Sequence, residues 1–488
     1  MRLLRFALAV YGAGPARGLV SLCLGAGLLA CGGQDAAGAR DENVLLVTLD
    51  TTRADHLSCY GYGVHTTPVI DELARDGVRF ERALSSAGLT PMAHASILTG
   101  LHSHRHGLRI FHGDGAGFRL ADSATTLAER LRDNGWQTAA RVSAYPASQV
   151  FGLDQGFESF ETGIDYENLD LAEKPDQDSL LLDGRSNNLQ RRSDATVDDA
   201  LEWLAGAAPV DAPWFLWVHL FDAHDYTLVP PESEVQRFGI SYDQDVQPRD
   251  AFWNQKIYDP EIAFMDQQLG RLFDSLRESG EWERTLVIVT ADHGEGLEDG
   301  WRRHKWAKHR LLYDWCLRVP LIIRLPGQVG GLVLDQQVRT LDIPATVLER
   351  LGLEGLGGEG VSLLPDMHGT PCAPRMAFAE ALNLLDEHAP EKGLPPTTED
   401  NLFCVSDGRW KLIWHAEKPE NHELFDLETD PQELHNLASS RTDQLDRLAD
   451  LLRDAGVFRI VKPEPGDLGS GPEAGALHAL GYGGAKDD

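Results

Sequence analysis

The sequence predicts an α/β fold, a large sheet sandwiched by helices with a smaller C-terminal α+β subdomain. Val44 to Leu49 and Leu286 to Thr290 are apolar, mostly branched runs, the pattern of strands buried on both faces of a parallel sheet. Each run stops in reactive residues, Asp50 after the first and Asp292-His293-Gly294-Glu295 after the second. Between them lie helical segments and a further aromatic strand, Trp214 to Val218.

The N-terminus reads as a targeting device. Basic residues precede the apolar, glycine-spaced run Leu19 to Ala30, which is too short and too interrupted for a membrane span. Leu28-Leu29-Ala30-Cys31-Gly32-Gly33 looks like a bacterial lipoprotein cleavage site. Cleavage there makes residues 1–31 a signal peptide, puts a lipid anchor on Cys31 and leaves residues 32–42 as a tether. Gly32 is not the aspartate of inner-membrane retention, which points to the outer membrane. A catalytic domain is expected over residues 43–374, a C-terminal subdomain over 375–460 and a flexible tail over 461–488.

Within the catalytic part, Thr66-Thr67-Pro68 opens a helix with proline in its first turn. Leu89 to Gly100 reads as a loop entering a helix near Ala93 and stopping at Gly100. Thr90 then stands beside a helix N-terminus, where unpaired amides and the dipole favour an oxyanion. Ser193 to Ala205 is an amphipathic helix, and the aromatic strand after it delivers His219, read as a core histidine, and His224. Tyr258 to Leu276 is a long helix on which Glu261 and Asp266 are expected to face solvent. Residues 165–192 and 231–255 are polar insertions suited to choosing a substrate. Asp430-Pro431-Gln432-Glu433 carries the signals of a helix start.

Neighbouring side chains on a strand point to opposite faces, so Asp292 and His293 share a ligand only in a turn, which Gly294 relaxes. Two such strands side by side would bring Asp50, Asp292 and His293 together as an oxygen-rich cation site with one nitrogen. A nearby cation would make the Thr90 hydroxyl a nucleophile.

The formal charge is −32 over 488 residues, and the segment up to Cys31 contributes only Arg2, Arg5 and Arg17. The processed chain is more negative still, which argues against nucleic acid or anionic membrane surfaces as partners. An anionic substrate is therefore drawn by a local site. Cys59, Cys316, Cys372 and Cys404 have no CxxC spacing and no zinc pattern.

In this order the segments resemble the sulfatase family of the alkaline phosphatase superfamily. The resemblance runs from Asp50-Thr51-Thr52-Arg53-Ala54-Asp55-His56 through Ala95-Ser96-Ile97-Leu98-Thr99-Gly100 and Trp217-Val218-His219-Leu220-Phe221-Asp222-Ala223-His224. It continues with Asp292-His293-Gly294, Trp306-Ala307-Lys308-His309 and Tyr313, and ends with Trp410-Lys411-Leu412-Ile413 and Glu423-Leu424-Phe425-Asp426. It implies an alkaline-phosphatase-like mixed sheet and a metal-dependent ester hydrolase. Asp50, Asp292 and His293 match metal ligands, and Thr90 matches the nucleophile that also touches the metal. His224 matches the histidine that binds the ester or protonates the leaving oxygen. Lys308 or His309 matches the cation that holds the anionic group, and Glu295 stands behind the ligands. The cofactor is one divalent ion: calcium, magnesium or manganese, with zinc also compatible.

Two departures narrow the expectation. Thr90, Met92 and His94 stand where many sulfatases have Cys or Ser, Pro and Arg, so the nucleophile cannot become formylglycine. Thr51 replaces the second of two adjacent metal-binding acids. The expectation is a hydrolase of sulfate and phosphate esters with Thr90 as direct nucleophile, favouring phosphate mono- or diesters. The alternatives are a transferase of phospho-headgroups onto envelope glycans or lipids, and a glycan-binding pseudoenzyme. The expected partners are an anionic ester substrate (a glycan or a lipid) and a membrane reached through the Cys31 anchor.

Overall fold

A computed structural model describes residues 41–110, 118–164, 189–206, 212–224, 229–241, 253–304, 310–328, 330–370, 375–383 and 400–459. Cys31, Lys308, His309 and Cys372 lie outside the described residues.

The first apolar run forms strand β1 (Asn43–Leu49), buried along its whole length. β2 (Val78–Leu84), β3 (Gln137–Val142), β4 (Ser159–Glu161), β5 (Trp214–Leu220) and β6 (Thr285–Thr290) follow, then β7 (Arg318–Val319), β8 (Leu321–Arg324) and β9 (Leu332–Arg339). Among the described residues they make one sheet in the order β4-β3-β5-β1-β6-β8-β2-β7, with β9 beside β2. β4, β3, β5, β1 and β6 run parallel, whereas β8 is antiparallel to β6 and to β2. The sheet is therefore mixed, as expected, and its parallel centre explains why β1, β5 and β6 are apolar on both faces.

Helices α1 (Pro68–Asp76), α2 (Thr90–Thr99), α3 (Ser193–Gly206), α4 (Trp253–Glu278), α5 (Asp314–Leu317) and α6 (Ile343–Arg350) flank it. A second sheet, β10 (Ala377–Leu382), β11 (Asn401–Ser406), β12 (Trp410–His415) and β13 (Glu423–Asp426), is antiparallel throughout, and α7 (Thr442–Ala455) packs on β11 and β12. No helix among the described residues is long and apolar enough to cross a membrane.

Three local expectations are corrected. Helix α2 begins at Thr90 rather than near Ala93, because Pro91 fits the first turn of a helix and needs no amide partner there. Glu261 and Asp266 are buried, not solvated. Asp266 caps α1, its two carboxylate oxygens accepting the amides of Val69 (3.0 Å) and Ile70 (2.8 Å). Asp430 to Glu433 forms a turn, and the helix starts only at Thr442. Glu433 adopts a left-handed φ of 56°, with its carboxylate 2.7 Å from the buried Lys411 ammonium. That buried pair outweighs the local helix signals.

Candidate active site

In-register pairing places the site. Thr48 lies opposite His219 on β5 and opposite Thr290 on β6, so the chain leaves three adjacent parallel strands at one edge. This carboxyl edge is where open α/β sheets bind ligands. Asp50 leaves β1 there, its amide donating to Leu220 O at 2.8 Å. Asp292 and His293 leave β6, and one group of ligand atoms from Asp50, Asp292 and His293 lies within 4.8 Å of one another. All three side chains are fully buried.

The turn at Gly294 works by close approach. A Cβ there would stand 2.2 Å from Trp315 O, and the Gly294 amide donates to Cys316 O at 2.7 Å. Asp292 Oδ1 is spent on local geometry, accepting the amides of His293 (2.8 Å) and Thr51 (3.1 Å). Thr51 is left-handed, at φ 51°, a conformation that costs about 1–2 kcal/mol for a residue with a Cβ. The buried Tyr258 hydroxyl holds it, donating to Thr51 O at 2.6 Å and accepting the Arg53 amide at 2.9 Å. Glu295 is buried behind the turn, its carboxylate accepting the Gly296 amide at 3.0 Å.

Thr90 enters from α2. Its Oγ1 is 3.3 Å from His293 Nε2. His293 Nδ1 donates to Gly294 O at 2.9 Å, which assigns the proton to Nδ1 and leaves a lone pair on Nε2, toward Thr90. One turn along α2, His94 Nδ1 donates to Thr90 O at 2.8 Å.

Asp50 Oδ1 and Asp292 Oδ2 are buried without a hydrogen-bond donor. Burial, and then repulsion from Asp292, push the Asp50 carboxyl well above the usual range. Two buried carboxylate oxygens, an imidazole lone pair and a hydroxyl are the donor set of a divalent cation. The residues fit one.

His224 follows β5 on the same edge, half-buried, its ring stacked on Phe221 with centroids 4.3 Å apart. Lys308 and His309 lie outside the described residues. His219, read from sequence as a core histidine, is fully buried, and it also reaches the site: its Nε2 stands 2.9 Å from Asp50 Oδ2. The signal was an imidazole at the last turnout of an otherwise apolar strand, legible only once the register with Thr48 is known. Tyr258 gave no signal, since its 207-residue separation from Thr51 is closed by the fold alone.

The sulfatase family profile matches residues 42–353, close to two thirds of the chain. The chain belongs to the sulfatase family. A second profile, described as the C-terminal part of N-sulphoglucosamine sulphohydrolase, matches residues 302–454. An arylsulfatase of Clostridium perfringens is 25% identical over 473 residues, covering 82% of this chain and 90% of the relative. The solved phosphonate monoester hydrolase of Agrobacterium radiobacter superposes with a TM-score of 0.63 at 25% identity, over 85% of this chain and 95% of that one. A protein solved in complex with its substrate D-glucosamine-2-N,6-O-disulfate superposes with a TM-score of 0.67 at 19% identity, over 86% and 98%. The protein is an ester-hydrolysing enzyme, and its family is metal-dependent.

Proposed function

We propose that the protein is a divalent-metal-dependent hydrolase of phosphate mono- and diesters with Thr90 as the direct nucleophile. The observation that carries the reading is Thr90 Oγ1, at the first turn of a buried helix and 3.3 Å from His293 Nε2, beside the unpartnered oxygens of Asp50 and Asp292. Asp50, Asp292, His293 and Thr90 would hold the cation, which when bound lowers the pKa of the hydroxyl and balances charge on the transferring group.

Thr90 Oγ1 forms the bond to phosphorus as the bond to the leaving alkoxide breaks, and the hydroxyl proton departs to solvent. His224 gives a proton to the leaving oxygen. Water then attacks phosphorus and breaks the Oγ1 bond, restoring Thr90. A helix N-terminus favours the anion throughout, and positioning with charge stabilisation carries most of such a transfer. Threonine cannot be oxidised to an aldehyde, so a sulfated Thr90 has no route out by carbon–oxygen cleavage. The phosphonate monoester hydrolase relative supports phosphorus chemistry on this fold.

The names of the relatives favour a second reading, hydrolysis of sulfate esters on a glycan. Metal-loaded protein lacking residues 1–31 is to be assayed on matched aryl phosphate, phosphate diester and sulfate ester. Faster phosphorus cleavage, abolished by a chelator, supports the proposal; dominant sulfate cleavage overturns it. Absence of turnover favours the transferase or the glycan-binding pseudoenzyme. The proposal includes a lipid anchor at Cys31 in the outer membrane; labelled palmitate should enter the full chain and be lost in Cys31→Ala.

A further inference from the structure

Asp50, His94 and His219 form a second cluster whose ligand atoms also lie within 4.8 Å of one another, all fully buried. By spacing it resembles a second metal site sharing Asp50 with the first. The hydrogen bonds exclude that reading. The Ser143 amide, a donor only, points at His219 Nδ1 at 3.2 Å. Nδ1 must therefore accept, which places the His219 proton on Nε2, facing Asp50 Oδ2 at 2.9 Å. His94 is committed at both nitrogens. Its Nδ1 donates to Thr90 O (2.8 Å), and its Nε2 accepts from Thr48 Oγ1 (3.0 Å), whose own oxygen accepts the Trp217 indole N–H (2.9 Å). A cation needs a lone pair, and neither imidazole presents one to Asp50. His293 is the contrast, since its Nδ1 donates to a carbonyl and its lone pair lies on Nε2.

We propose that His219 is a positioning residue: through its Nε2–H it holds Asp50 Oδ2 and aims Oδ1 at a single cation, and no second metal binds between His94 and His219. Asp50 has one oxygen tied to His219 and the other without a donor, the arrangement of a ligand fixed from behind. The same contact supplies the neutral donor that a buried carboxylate lacks on the side away from the ion. The inference rests on the metal reading of Asp50, Asp292 and His293.

The test is metal stoichiometry and affinity on the full chain, by elemental analysis and by titration of calcium, magnesium, manganese and zinc followed by thermal shift. Two variants separate the two contacts of the ring. His219→Gln keeps an amide donor near the Nε2 position but loses the acceptor for Ser143. His219→Asn keeps the acceptor near Nδ1 but cannot reach Asp50. The wild type is expected to bind one equivalent. His219→Asn should weaken that binding roughly 10- to 100-fold, the usual effect of losing the partner behind a metal ligand, with His219→Gln retaining most of it. Circular dichroism of the metal-free proteins separates this loss from unfolding. Equal affinity in the two variants overturns the positioning role, and two equivalents in the wild type falling to one in both variants makes the cluster a second metal site. A wild type that binds none of the four cations overturns the metal reading itself, and this proposal with it.

Discussion

His293 Nε2 stands 3.3 Å from Thr90 Oγ1, although 203 residues separate the two in the chain. One residue comes from the turn after β6 and the other from the first turn of α2, so their meeting depends on both elements arriving at one sheet edge. In the proposed mechanism Thr90 is the hydroxyl on which the chemistry turns, and its replacement tests that role. Thr90→Ala should lower kcat/KM by at least about a thousandfold, roughly 4 kcal/mol of barrier, while Thr90→Ser keeps measurable turnover. Steady-state kinetics on the faster ester substrate, with circular dichroism as a check on folding, decides this.

Thr51 carries backbone strain that Tyr258 compensates. Its φ of 51° is held by the 2.6 Å bond from the Tyr258 hydroxyl, and its amide donates to Asp292. Tyr258→Phe leaves a buried carbonyl without its donor and should cost about 1–3 kcal/mol in denaturant unfolding. Thr51→Gly, which adopts that φ without penalty, should be neutral or stabilising; a clear loss of stability would refute the strain argument.

Gly294 has no room for a side chain. Its Cβ would lie 2.2 Å from the Trp315 carbonyl, a backbone atom that cannot rotate away. Gly294→Ala must displace either the ligand turn or the Trp315 segment, at a cost of about 1–3 kcal/mol or more. The expected signature is weakened metal binding together with a lowered melting temperature; wild-type values for both would mean the turn relaxes without cost.

Asp266 predicts a pH dependence away from the site. Burial lifts its carboxyl from 3.8 to about 7, against the opposing amides of Val69 and Ile70. The folded state then holds this proton more tightly than the unfolded chain. Its stability contribution is complete below about pH 4 and is lost as pH rises through about 7. Thermal unfolding of Asp266→Asn beside the wild type should show the difference moving in favour of the variant from about pH 5 to about pH 8. A pH-independent difference would sink this assignment.

The chain itself determined the strands and their reactive ends. Val44 to Leu49 and Leu286 to Thr290 are apolar enough to be buried on both faces, and the structure makes them neighbours, which brings Asp50, Asp292 and His293 to one edge. Thr90 was legible as a hydroxyl beside a helix N-terminus, although the helix was expected to start near Ala93 and starts at Thr90 itself. Register and burial belonged to the tertiary structure. Only the pairing of Thr48 with His219 turned an apparent core histidine into the partner of Asp50. Asp266 looked solvated because α4 has no strong local reason to bury it; the amides at the N-terminus of α1, which have no partner within their own helix, supplied one. At Asp430 to Glu433, local helix signals lost to Lys411, a buried cation whose demand for carboxylate partners exceeds any propensity. Local sequence sets backbone preferences worth about 1 kcal/mol each, whereas buried polar groups must find partners at whatever distance along the chain the fold provides them.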